Sequence, residues 1–427
     1  MTGGWRNDML TTIVVALLAG TTPASGEWTQ WRGPNRDAAG SVQGTWESQP
    51  AGLTRRWRVE VGAGQSSPVV AGRTAFQFAR EDGNEVARAI DLETGRVRWR
   101  QGYAAPYEPY PGAASYGSGP RSTPVVHDGR LFTLGISGIL TAFDAASGRI
   151  LWQKDFTGRF PASAPPFGTS MSPLMAEGSL IVHAGGHDGG ALIAFDPSTG
   201  AEKWTLQGDG PSYSSPILAS FAGQQQVVIQ VHRKVLGVDP AAGRVLWSVP
   251  FVTPCDQNIV TPLQVGDRLI LSSVNQGTMA IEPRRDGDRW TPRTAWHSTD
   301  VSMYMSSPVL MNRRVFGLSH KRKGQYFALD PATGAVEWTS PGAQGENAAF
   351  VVAGAAVLVL QGDGTLFTLA SNATSFAPSK PTRVADTATY AHPVPTEKGL
   401  LVKDENGLSL YGPTARTAAR PIPENPR

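Results

Sequence analysis

Short apolar runs alternate along the chain with clusters of Gly, Pro, Asp, Asn and Ser. Ile139-Leu140-Thr141-Ala142-Phe143 and Arg149-Ile150-Leu151-Trp152 form one such pair, joined by a turn-rich stretch from Asp144 to Gly148. Runs of this kind bounded by turn residues predict antiparallel hairpins. The joint itself recurs as Asp, then Gly four positions on, then Trp four beyond that. It stands at Asp91/Gly95/Trp99, Asp144/Gly148/Trp152, Asp196/Gly200/Trp204, Asp239/Gly243/Trp247 and Asp330/Gly334/Trp338. The carboxylate accepts hydrogen bonds from backbone N–H groups just ahead of it, and Gly supplies the positive φ of the turn. Pro197, Pro240 and Pro331 follow the Asp in three copies, where a fixed φ suits the first corner. A degenerate copy runs from Glu282 to Trp296, lengthened by six residues through a polar insert around Arg284–Arg289.

The tryptophans Trp57, Trp99, Trp152, Trp204, Trp247, Trp296 and Trp338 are spaced by 42, 53, 52, 43, 49 and 42 residues. That period fits four short strands and their turns, the size of one propeller blade. A ring at the end of each unit buries ~200 Å² against the next, so these tryptophans read as structural. A second repeat fixes the phase: Ser67-Pro68, Thr123-Pro124, Ser172-Pro173, Ser215-Pro216, Thr261-Pro262 and Ser307-Pro308 each open an apolar run. Pro is tolerated where no ladder partner needs its N–H, as on a strand facing a central channel, so these steps mark inner strands.

Two weaker units follow, one from Asn347 to Leu369 and one opened by His392-Pro393 and continued through Leu400-Leu401-Val402 to Leu408–Tyr411. The last lacks an outer strand, and the chain begins with a spare one, Leu53–Val61. The expected fold is therefore all-β, an eight-bladed propeller of four-stranded blades over residues 53–413, closed by the N-terminal strand.

Composition agrees with this picture. Among 427 residues there are 48 Gly, 33 Pro and 12 Trp, with 17% charged and 40% hydrophobic. That is too apolar for a disordered chain and too rich in helix breakers for long surface helices. A net charge of +3 points to neither nucleic acid nor an anionic membrane. Arg6, the apolar stretch Leu10–Ala19 and the small residues up to Gly26 read as a signal peptide at residues 1–26. The stretch is too short to span a bilayer. The chain is thus expected to be exported, periplasmic or extracellular, and monomeric. Residues 27–52 read as a linker and residues 414–427 as a Pro-rich tail. The single Cys255 excludes an internal disulfide.

The motif Ala89-x-Asp91-x-x-Thr94-Gly95-x-x-x-Trp99 and its copies resemble the tryptophan-docking repeat of the pyrroloquinoline quinone (PQQ) propeller superfamily over roughly residues 53–412. Trp28–Pro34 and Gly119–Pro124 resemble a group of exported PQQ-like repeat proteins. The superfamily includes PQQ-dependent alcohol and glucose dehydrogenases, and non-catalytic members such as the propeller of the outer-membrane barrel-assembly machinery. The dehydrogenases hold the quinone against a disulfide between adjacent cysteines, with Ca²⁺ on Glu and Asn side chains and an Asp as base. Here Asp256 stands beside Cys255, so that disulfide cannot form. Asp256 and Asn258 are what this chain offers toward a Ca²⁺ or a base.

A small-molecule site is expected at the channel mouth, where loops lead into the inner strands. Three residues before each Pro stand Gln65, Arg121, Ser170, Tyr213, Ile259 and Met305, with Tyr390 in the last unit. Arg121 would attract an anion there, and the loop Tyr103–Pro120 with its tyrosines would cap the face or dock a peptide. The candidate cofactor contacts are therefore Gln65, Arg121, Tyr213, Asp256 and Asn258. His183 and His187 lie in a Gly-rich hairpin, not on a helix face, and no metal is assigned to them. His320–Gly324 reads as a basic hairpin tip. The function this supports is a non-catalytic scaffold that binds an envelope or extracellular protein or peptide and needs no cofactor. The alternative is a PQQ-dependent alcohol or sugar dehydrogenase.

Overall fold

The computed structural model describes residues 27–40, 52–253 and 257–413. The signal-peptide and tail readings, and with them Cys255 and Asp256, fall outside these residues. The described chain forms eight four-stranded antiparallel sheets set as blades around a channel, with almost no helix. In chain order the blades are residues 69–104, 125–155, 174–208, 217–250, 263–298, 309–339 and 348–383, and an eighth. The eighth takes three strands from residues 394–413 and its outer strand from Leu53–Glu60, which pairs antiparallel with Gly407–Pro413. An ion pair ties that strand in: Arg58 Nη1 lies 2.6 Å from Asp404 Oδ2, and Asp404 is buried.

The repeat motif is explained by contacts between blades. In each of the five full copies Gly has the expected left-handed backbone, with φ between +68° and +78°. It also has no room for a side chain. A Cβ at Gly148 would lie 2.6 Å from the indole of Trp99 in the preceding blade, and Gly95, Gly200, Gly243 and Gly334 seat Trp57, Trp152, Trp204 and Trp296 in the same way. Each of these indoles donates its Nε1–H to the carbonyl of the residue after the Asp: Leu92, Ala145, Pro197, Pro240 and Pro331, at 2.9–3.1 Å. The indole needs only this carbonyl, so Pro can occupy the position in three copies; in the other two the Leu92 and Ala145 N–H groups also donate, to the Arg73 and Gly129 carbonyls.

Trp247 breaks the pattern for a visible reason. The next blade carries Glu282-Pro283 and a long hairpin, Gly277–Asp286 with Arg289–Ser298, in place of the tight Gly turn. The Trp247 indole turns to Gln226 Oε1 at 2.6 Å, and Trp290 from the long hairpin packs into the same core cluster. The inserted arginines Arg284 and Arg293, with Arg268, surround Glu282 and hold its carboxyl down at about 2.

Replacing Gly148 by Ala is expected to cost about 2–5 kcal/mol, from a left-handed backbone at ~1–2 and a displaced Trp99 ring at ~1–3. Gly287, with φ +56° and open space around it, is the matched control at about 1–2 kcal/mol. Equal shifts of the two urea midpoints would show that the Gly turns do not seat the rings.

Candidate functional site

The inner strands begin one residue after the recurrent prolines, at Val69, Val125, Leu174, Ile217, Leu263, Val309 and Val394. The prolines therefore stand just ahead of the inner strands instead of inside them, and no ladder bond is lost. The Ser or Thr before each Pro has its own task. The Ser67 N–H donates to Thr123 Oγ1, Thr123 N–H to Ser172 Oγ, Ser172 N–H to Ser215 Oγ, Thr261 N–H to Ser307 Oγ, and His392 N–H to Ser67 Oγ, at 2.9–3.3 Å. These bonds make a partial hydroxyl collar on the channel, joining blades one to four in series, five to six, and eight to one.

Part of the stretch that reads as a linker lies inside that collar. Residues 27–40 fold around the ring of Trp28, which is 1% exposed and lies close against Gly33 and Gly40. This plug reaches every blade. The Trp28 backbone exchanges two hydrogen bonds with Val70, and the Thr29 carbonyl accepts from Val126. Arg36 donates to the carbonyls of Ser172, Pro173 and Pro216. Trp31 Nε1 donates to Thr261 Oγ1 at 3.0 Å, and its ring meets His392 edge-on at 4.5 Å between centroids. Arg32 donates to the Pro308 carbonyl, and the Ala38 carbonyl accepts from Val352.

Arg36 is 2% exposed and donates to carbonyls and to Gln30 Oε1, with no carboxylate in ion-pair range among the described residues. Burial pushes its pKa down to about 9, and that of Arg32 to about 10, so both are charged at neutral pH. Arg32, Arg36 and Ala38 hold left-handed backbone conformations at φ near +60°, a cost of ~1–2 kcal/mol each that the surrounding contacts must offset.

The plug divides the channel in two. On the side where loops enter the inner strands, a funnel of about 160 Å³ has Trp31 in its floor. Its wall contains all seven residues that stand three places before a blade-opening Pro: Gln65, Arg121, Ser170, Tyr213, Ile259, Met305 and Tyr390. Tyr116, Phe167, Gln257 and Tyr304 complete much of the remainder. On the other side a recess of about 530 Å³ lies between Asn35, Arg36 and Asp37 and the inner strands of blades three to five.

Arg121 is half-buried in the funnel wall. Its Nη2 donates to the Gly117 carbonyl at 3.2 Å, its Nη1 is buried without a hydrogen-bond partner, and no carboxylate of the described residues pairs with it. Burial lowers its pKa, while the surrounding hydroxyls of Tyr107, Tyr213 and Tyr116 act in the opposite sense. The Tyr213 ring packs edge-on against Phe167 and His187, and its hydroxyl accepts from the Phe167 N–H. Tyr116 packs against Phe167 and Tyr390.

Asn258 is not brought to this site. Its side chain is buried in the wall behind the funnel, where Nδ2 faces the carbonyls of Val231, His232 and Phe251 at 3.2 Å. His183 likewise turns inward, with Nε2 at 2.9 Å from the Asp209 carbonyl, while the His187 ring stacks on His232. The basic tip at Lys321–Lys323 is a turn in which Arg322 and Lys323 are exposed and hold left-handed backbone conformations.

Buried titratable groups give this architecture an acid sensitivity. Burial pushes His183 down to about 4 and His392, under the plug, down to about 3, from an ordinary 6.5. Below pH 6.5 the unfolded chain takes up protons that the fold refuses, so stability falls as pH drops toward 4. Glu85, raised by burial to about 6 from 4.5, works the other way, but only over its narrower window. Melting temperature is expected to decline from pH 6.5 downward, with a shallower slope in His392→Asn. A parallel slope in that variant would remove His392 from the account.

A family model described as outer membrane protein assembly factor BamB matches residues 82–340. The chain belongs to that family. BamB of Shewanella oneidensis is 23% identical over 255 residues, which are 55% of this chain and 60% of that protein. Polyvinylalcohol dehydrogenase of a Sphingopyxis species is 27% identical over 188 residues, 35% of this chain and 28% of that enzyme. The chain thus spans less than two thirds of the length of either relative. The crystal structure of BamB from Moraxella catarrhalis superposes with a TM-score of 0.61 at 16% identity, over 85% of this chain and 98% of that one. At that identity the likeness is one of fold.

The funnel wall was readable from position relative to the prolines. The plug was not, because a stretch of 14 residues with no apolar period and two buried arginines contradicts the habit of Arg to stay exposed. Its one signal was Trp28 and Trp31, two large rings in a stretch with no place in the repeat.

Proposed function

We propose that this protein is an exported propeller that acts as a non-catalytic, protein-binding scaffold of the cell envelope. The observation that carries the reading is the plug: the chain fills its own channel and leaves a shallow aromatic funnel of about 160 Å³. Pockets that bury a drug-sized ligand are usually about 300–1,000 Å³. The funnel has room for one side chain, which suits a protein partner. The family to which the chain belongs and the BamB relatives, assembly factors by name, support the same reading.

A second reading, a PQQ-dependent alcohol or sugar dehydrogenase, draws on the likeness to polyvinylalcohol dehydrogenase and on Arg121 as a carboxylate partner. The residues present fit a tricyclic quinone poorly. The space above Trp31 is small, and Asn258 directs its amide into the wall instead of toward the funnel.

One pair of experiments discriminates. The purified protein is titrated with PQQ and Ca²⁺, followed by quinone fluorescence and by dye reduction with alcohols and sugars. In parallel it is crosslinked to neighbours in envelope extracts of its source. The scaffold reading expects no saturable quinone binding, no turnover and a specific crosslinked protein. Turnover with PQQ replaces it by the dehydrogenase.

A further inference from the structure

Resting on the protein-binding reading, the chemistry of the funnel narrows what the partner presents. Three features converge. The floor and wall are aromatic, with Trp31, Tyr116, Phe167 and Tyr213 around a space that accommodates about one benzene-sized group. A guanidinium reaches into the wall with one buried nitrogen unpartnered, and a buried donor left unpaired costs about 1–3 kcal/mol, more when charged. The rim carries exposed aromatic rings. Tyr110 is 56% exposed beside Phe167, and Tyr390 is exposed in the loop before blade eight.

We propose that the funnel is the docking site for an internal loop of a partner protein that inserts one aromatic side chain over Trp31 and sets a neighbouring Asp or Glu carboxylate on Arg121. The ring supplies offset and edge-to-face contacts to an aromatic wall. The carboxylate supplies the charged acceptor that Arg121 lacks, in a half-buried position where a charge-assisted bond is stronger than on the surface. The exposed rings of Tyr110 and Tyr390 give the segments flanking the inserted residue apolar contacts as they leave the mouth, which favours an internal segment over a chain terminus.

The test uses the whole protein and an end-capped hexapeptide, acetyl-Gly-Gly-Glu-Phe-Gly-Gly-amide, in which the only carboxylate is the Glu side chain. Calorimetric titration is expected to give saturable binding with Kd below about 1 mM. Exchanging Glu for Gln in the peptide, or Arg121→Gln in the protein, should each weaken binding about tenfold, and the two together no further than either alone. Exchanging Phe for Ala should also weaken it. The peptide exchange needs no altered protein, so the result stands even if Arg121→Gln is unstable. Equal binding of the Glu and Gln peptides, additive losses, or no binding of the Glu peptide overturns the proposal. So does PQQ binding that Arg121→Gln abolishes, which assigns the site to the quinone. If Arg121→Gln protein still crosslinks the partner captured by the wild type, the funnel assignment fails while the scaffold reading stands; if the wild type captures none, the scaffold reading itself fails.

Discussion

A chain lacking residues 27–40 but retaining Leu53–Glu60 is expected to melt about 10 °C below the intact protein. The largest contribution is Trp28, whose burial of ~200 Å² at ~25 cal/mol/Å² is worth about 5 kcal/mol. At about 2 °C per kcal/mol for a large domain, that alone accounts for the shift. The bonds from Arg32 and Arg36 to the collar are lost together with the two charges that made them, and water entering the opened channel satisfies the freed carbonyls. They should add little. Differential scanning calorimetry checks the value, and an unchanged melting temperature would mean that the segment occupies the channel without supporting it.

Removal of Leu53–Glu60 with residues 27–40 kept is expected to do more: loss of a single cooperative transition, and self-association. The strand provides seven register pairs with Leu53–Glu60 against Gly407–Pro413, the Arg58–Asp404 ion pair, and the Trp57 ring on Gly95 of blade one. Without it, the strand Gly407–Pro413 becomes a free edge at the seam between the eighth blade and the first. Free edges pair with other chains. We infer that this strand holds the two ends of the ring together. Adding residues 53–60 as a separate peptide should restore a sharp transition and a single species in size-exclusion chromatography. A truncated chain that still melts sharply at the original temperature would contradict the inference.

Much of this fold was legible because a repeat states the same requirement many times. Asp, Gly and Trp at fixed spacing revealed the hairpins and the closing rings. What spacing did not reveal is why Gly is required. The left-handed turn is half the reason, and the absence of a Cβ under the preceding blade's indole is the other half. That second reason is a contact between units, visible only once adjacent blades are set side by side. It also accounts for Trp247, whose sequence motif is complete but whose neighbour offers Glu282-Pro283 and no Gly seat. Position three before the Pro placed seven residues in the funnel wall, since identical blades bring identical positions to one mouth. Asn258 was drawn toward the site as an oxygen ligand near Asp256, but its side chain turns into the wall, where Nδ2 donates to backbone carbonyls.

The collar and the pairing of Arg58 with Asp404, 346 residues away, carry a consequence for synthesis. The plug and the outer strand of the eighth blade are made before the inner and middle strands of that blade, residues 394–413. Individual blades can condense as they emerge, but the eighth blade cannot be completed before residues 394–413 are made, so its contacts of longest range form late. If Leu53–Glu60 closes the ring as inferred above, emergence of residues 394–413 is the event that converts a string of hairpins into one cooperative body.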